Sequence, residues 1–82
     1  MEVQLLYFAA VADAVGRAEE RRTLPAAVRT LTALRAYLRQ EYPALEPGLP
    51  HVRFAKNEVF ARDEETIAAG DVIALIPPVA GG

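Results

Sequence analysis

Residues 70–82 read GDVIALIPPVAGG. Five consecutive apolar residues, 72–76, lie between a Gly-Asp turn pair and two prolines. A continuous apolar run of that length is the pattern of a central strand covered on both faces. Pro77 and Pro78 cannot donate to a ladder, so they end the strand and send the chain along an extended, polyproline-like path. Val79 and Ala80 are small, and Gly81-Gly82 can thread a channel too narrow for any other dipeptide. The expectation is a folded domain over 1–76 and a flexible tail over 77–82 ending in Gly-Gly. Such a tail presents one reactive group inside another protein, its α-carboxylate. A carboxylate can attack the α-phosphate of ATP to give an acyl adenylate, which is primed for acyl transfer.

Working outward, EVQLLYFA (2–9) is rich in β-formers and predicts an opening strand. VADAV (11–15) predicts a short helix ended by Gly16. RAEERRTL (17–24) is polar and could be read as helix, but the preferred reading is an exposed edge strand whose charges discourage further pairing, closed by Pro25. The clearest helix is TLTALRAYLRQEY (30–42), with Thr30 as N-cap and Leu31, Leu34, Leu38 and Tyr42 on one stripe. Arg35 and Arg39 lie off that stripe and read as a solvated face. Pro43 stops the helix, and ALEPGLP (44–50) is a loop. VRFAKNEVFA (52–61) predicts two short strands bent at Asn57, followed by a loop to Gly70-Asp71. Together these elements predict an α+β fold: a mixed sheet of four to five strands with one main helix packed on one face.

One helix covers one side of a sheet. If Val3, Leu5 and Tyr7 pack against it, Leu6 and Phe8 point away. If Ile73 and Leu75 face inward, Val72, Ala74 and Ile76 face outward, and Phe60 joins them provided that Val59 faces in. The open face then carries Leu6, Phe8, Phe60, Val72 and Ile76, a patch that implies a partner surface. A one-residue register slip would instead make these residues ordinary core.

Composition narrows the chemistry. The chain has 82 residues, 52% hydrophobic and 24% charged, which suits one small globular domain. Eight arginines and one lysine against eleven acids leave a net charge of −2, so no basic patch for nucleic acid is expected. The apolar run near the N-terminus lacks a cationic leader and is too short to span a bilayer, which points to a cytoplasmic protein without membrane contact. With no cysteine and no serine, thiol nucleophiles, zinc–thiolate sites and a serine triad are excluded. His51, between Pro50 and Val52, has no second histidine with which to share a metal and reads as a loop or strand-edge residue. The threonines read as caps or turn residues.

LLYFAAVADAVG, TLTALRAYL, AKNEVF and AAGDVIALIPPVAGG, in that order, make the chain resemble the sulfur-carrying small subunits of molybdopterin synthase. These belong to the ubiquitin-like β-grasp sulfur carriers, a wider group that includes the thiamine-pathway carrier. That group generally shares the glycine pair but not the Pro-Pro-Val before it, which favours the molybdenum-cofactor branch. The resemblance implies that Gly82 is adenylated by an adenylyltransferase related to ubiquitin-activating enzymes, using ATP and magnesium. It further implies that a sulfur donor protein converts the adenylate to a thiocarboxylate. The tail, Pro77 to Gly82, then enters the large synthase subunit and gives its sulfur to cyclic pyranopterin monophosphate in molybdenum cofactor biosynthesis. On this reading the chain is a carrier without catalytic side chains, binds no cofactor or metal itself, and assembles as two small and two large subunits. Its contact uses the open sheet face, matching Phe8, Phe60 and Ile76.

Two positions depart from the family pattern. Val72 stands where an acid often follows Gly-Asp, and Lys56 stands where an aliphatic residue often precedes Asn57. Both bear on the interface rather than the tail, and Lys56 reads as a solvated side chain. The rival functions are the thiamine-pathway sulfur carrier within the same class, a ubiquitin-like modifier that forms isopeptide bonds through Gly82, with Lys56 as one conceivable acceptor, and a docking domain whose tail is inert.

Overall fold

A computed structural model describes residues 1–78; the expected roles of Val79, Ala80, Gly81 and Gly82 fall outside the described residues. The elements in chain order are β1 (Glu2–Tyr7), α1 (Ala9–Val15), β2 (Glu19–Thr23), α2 (Leu31–Glu41), β3 (Arg53–Lys56), β4 (Val59–Ala61) and β5 (Val72–Ile76). Among the described residues the strands form one sheet in the order β2-β1-β5-β3-β4. β1 and β5 run parallel, whereas β2, β3 and β4 pair antiparallel with their neighbours. The mixed sheet and single long helix are those expected, and the apolar strand 72–76 is central.

Alternation decides what the helix covers. Val3, Leu5 and Tyr7 from β1, Phe54 from β3, and Ile73 and Leu75 from β5 are at most 3% exposed. They meet Leu31, Leu34 and Leu38 of α2, each 0% exposed. Full burial of each such side chain contributes about 1.5–3 kcal/mol. Thr30 caps α2 as expected, its hydroxyl accepting from the Ala33 N–H at 3.2 Å.

Four local features differ from the sequence reading. First, α1 begins at Ala9, two residues early, because Ala9 turns the chain with a positive φ of 48°. That conformation costs an alanine about 1–2 kcal/mol. Second, the loop 44–50 is not irregular: Pro43–Leu45 and Leu49–His51 each form a 3₁₀ turn, burying Leu45 and Leu49. His51 lies exposed at the end of the second turn. Third, Arg35 is not on a solvated face. Its Nε and Nη2 grip Asp63 at 3.0 and 2.8 Å, its Nη1 donates to the carbonyls of Leu49 and Val52 at 2.6 and 2.9 Å, and its guanidinium covers the Phe54 ring at 4.6 Å. Arg39 is exposed. Fourth, Lys56 is held rather than free: its Nζ donates to Thr66 O at 2.9 Å and pairs with Glu65 at 3.4 Å.

The edge strand β2 is exposed and charged as expected, but its helix-side residues are committed. Tyr7 and Tyr42 both donate to Glu20, while Arg22 donates to Tyr37, Tyr42 and Glu41. These bonds tie the edge strand to α2. At the opposite edge, Val59 pairs with Lys56 on the helix side of the sheet but is 67% exposed. The expectation that Val59 faces the core fails because α2 does not cover this edge strand.

Candidate functional site

The open sheet face is built by register. Leu6 pairs with Ala74, Ala74 with Ala55, and Ala55 with Phe60. One lateral row across four strands therefore runs large, small, small, large. The alanines, 8% and 9% exposed, make the floor of a concavity of ≈ 470 Å³, and the larger side chains make its walls. Phe8, Val72 and Ile76 complete the apolar lining, with Asn57 and Glu58 on the rim.

All five residues expected on this face are brought together there. Phe8 and Phe60 are 47% and 53% exposed, while Leu6, Val72 and Ile76 are partly buried. The sequence reading overlooked Ala55 as part of the floor and Arg53 as the support of the Phe60 wall. Arg53 lies 4.1 Å over the Phe60 ring, so a cation backs one wall of an otherwise apolar trough. The alternation of Arg53 and Ala55 on β3 carried that signal.

The rim is fixed by bonds between distant segments. Asn57 Oδ1 accepts from Val72 N–H at 2.9 Å, and Asn57 Nδ2 donates to Asp71 Oδ1 at 3.0 Å. Asp71 Oδ2 accepts from Ala68 N–H at 2.8 Å. Burial alone would push the Asp71 carboxyl up. The Ala68 N–H, the Asn57 amide and the charge of Lys56 outweigh it and hold the pKa below the ordinary aspartate value. Asn57 and Glu58 both have positive φ, 52° and 72°, as a two-residue hairpin turn requires.

Beyond Ile76, Pro77 and Pro78 leave the sheet beside a second apolar cleft of ≈ 330 Å³, walled by Val11, Ala14, Leu45 and Leu49 with His51 at its margin. Among the described residues no group of three or more His, Cys, Asp or Glu side chains is placed to hold a metal, and no helix is long and apolar enough to cross a membrane. The chemistry available on the described face is apolar contact.

A model of the ThiS family matches residues 5–82. The chain belongs to the ThiS family. Along its whole length, this ThiS-family chain is similar to the molybdopterin synthase sulfur carrier subunit of Chlamydomonas reinhardtii, with 33% identity over 84 residues and 100% of both chains covered. Its structure is similar to SAMP1 from Haloferax volcanii, with a TM-score of 0.84 and 29% identity over 100% of both chains. It is also similar to a chain in the Helicobacter pylori complex of subunits 1 and 2 of molybdopterin-converting factor, with a TM-score of 0.70 and 29% identity, again over 100% of both. The ThiS-family chain thus has the expected ubiquitin-like β-grasp fold. Its sequence similarity runs through the Gly81-Gly82 pair.

Proposed function

We propose that this chain is the sulfur carrier subunit of a molybdopterin synthase. The observation that carries the reading is the full-length similarity to the algal carrier subunit, joined to a sheet face whose apolar trough has no cover among the described residues. The H. pylori relative, found in a complex of subunits 1 and 2 of its converting factor, supports a large synthase subunit as the partner for that face.

In this reading the Gly82 carboxylate attacks the α-phosphate of ATP, held with magnesium by an adenylyltransferase of the ubiquitin-activating type, and pyrophosphate leaves. Sulfide-level sulfur delivered by a donor protein attacks the acyl carbon and AMP leaves, giving a thiocarboxylate. The trough seats on the large subunit, Pro77 and Pro78 direct the tail away from the sheet, and Gly81-Gly82 fits the narrow approach to the pterin. The thiocarboxylate sulfur then bonds to a carbon of cyclic pyranopterin monophosphate, displacing an oxygen substituent. Water cleaves the resulting thioester, leaving the sulfur on the pterin and the carboxylate on Gly82. The catalytic side chains belong to the partner.

A second reading is kept by the likeness to H. volcanii SAMP1, a small archaeal modifier protein. In that role the activated Gly82 would acylate lysines of other proteins. Intact-mass analysis of the chain isolated from its own host separates the two. Exchange of one terminal oxygen for sulfur supports the carrier, isopeptide conjugates support the modifier, and neither product overturns both.

A further inference from the structure

Ala9 sits where the chain must satisfy two opposed demands. Phe8 keeps extended geometry, φ −117° and ψ 146°, so β-strand alternation carries on past Tyr7 and sets the Phe8 ring on the open face. Three residues later Val11 is 4% exposed and belongs to the core on the other side of the sheet. The reversal is made at Ala9, with φ of 48°. An extended residue there would prolong the strand, and a right-handed one would start the helix in a different direction. The left-handed conformation disfavours any residue with a β-carbon, yet no glycine stands here. Asn57 and Glu58, the other non-glycine residues with positive φ among those described, are accounted for by their hairpin turn. Ala9 belongs to no hairpin, and strain of this kind accumulates where a surface must be held in one arrangement. The first turn of α1 closes back on the same point, because the Phe8 carbonyl accepts from the N–H groups of Val11 at 3.0 Å and Ala12 at 3.4 Å.

We propose that Ala9 is a positioning residue, whose left-handed backbone holds Phe8 on the docking face while α1 turns into the core. The inference rests on the reading of that face as the seat of the large synthase subunit. It separates substitutions by backbone tolerance rather than by size or polarity. Asparagine tolerates left-handed geometry, and valine is among the residues that tolerate it least.

The test uses the full chain and its cognate large subunit. Ala9→Val is expected to weaken association at least about tenfold, and Ala9→Asn to stay within about threefold of the parent. In a Phe8→Ala background the effect of Ala9→Val should largely vanish, because the two residues act through one contact. In the free chain, hydrogen exchange at the Val11 and Ala12 amides should quicken in Ala9→Val and not in Ala9→Asn. If Ala9→Val fails to fold, the equality of Ala9→Asn with the parent still decides: a tenfold loss there overturns the proposal. So does a loss in Ala9→Val that persists undiminished without the Phe8 ring. If exchange follows the expected order but Phe8→Ala associates normally, the assignment of the face is what fails, and the backbone role of Ala9 stands.

Discussion

Asn57 and Asp71, fourteen residues apart, are joined side chain to side chain at 3.0 Å. The bond links the hairpin turn between β3 and β4 to the turn that launches β5. Because Asn57 also accepts from Val72 N–H at 2.9 Å, it fixes where the central strand begins and so which residues of that strand face the trough. Replacing Asn57 with Ala removes both bonds while keeping a left-handed demand on the backbone. A loss of about 2 kcal/mol in urea unfolding is expected. Glu58→Gly should act in the opposite sense, stabilising by about 0.5–1 kcal/mol, because glycine meets the 72° φ without a β-carbon. A destabilised Glu58→Gly chain would contradict the turn.

Arg35 is expected to matter more than any exposed arginine. Its side chain is 20% exposed and joins α2 to Asp63, to the carbonyls of Leu49 and Val52, and to the Phe54 ring. Arg35→Ala should cost about 2–4 kcal/mol, since acceptors are left without a donor. Lysine should recover only part of this, having no planar fork to serve both sides. Arg39→Ala serves as the control and should change little.

Stability should fall at both pH extremes for reasons centred on Glu20. Burial first, then the hydrogen bond to Glu20 and its charge, push the Tyr7 phenol far above its usual range, and Tyr42 moves the same way. The folded chain thus keeps protons that the unfolded chain releases, and stability is lost as pH rises past about 10. For Glu20, burial acts upward, but the hydrogen bonds from Tyr42 and Tyr7 and the charge of Arg22 outweigh it and lower the pKa. Its contribution is present above the ordinary glutamate range and disappears as pH falls through the lowered value, beginning near pH 4–5. Unfolding midpoints measured across pH should show both limbs. Tyr7→Phe should make the alkaline limb shallower, and an unchanged limb would argue against this assignment.

The trough should be sensitive to charge. Phe8→Asp or Phe60→Asp is expected to weaken association with a large synthase subunit by roughly a hundredfold, through burial of a carboxylate in an apolar contact. The effect on folding should be small, because both rings are about half exposed in the isolated chain. Calorimetric titration with parallel thermal melts would separate the two effects. Unchanged affinity would remove the face from the interface.

Blocking the last acyl group should separate docking from sulfur transfer. Deletion of Gly82, or addition of one residue after it, is expected to leave association within about twofold and to abolish transfer to the pterin substrate. Retained transfer by an extended chain that is not trimmed would refute the carrier reading.

Much of the architecture was legible because short-range periodicity carries it. The run 72–76 marked the central strand, the leucine stripe 31-34-38 marked the helix, and alternation in 2–8 assigned Leu6 and Phe8 to the open face. The same arithmetic could not see past a single element. Arg35 read as solvated because helical spacing says only that it leaves the leucine stripe, whereas its partners at Leu49, Val52 and Asp63 arrive from segments 14 to 28 residues away. Val59 lies on the helix side, as alternation requires, yet stays exposed because coverage depends on where the helix ends.

The sequence by itself determined the periods: which stretches are strands, which is the helix, and which side of each carries apolar groups. Tertiary structure alone decided the neighbours. Only the register across β1, β5, β3 and β4 places Leu6, Ala74, Ala55 and Phe60 in one row, because lateral pairing is a relation between strands distant in the chain. Only the folded backbone shows that Ala9 must turn left-handed, since that demand comes from Phe8 and Val11 lying on opposite sides of the sheet rather than from any preference of alanine.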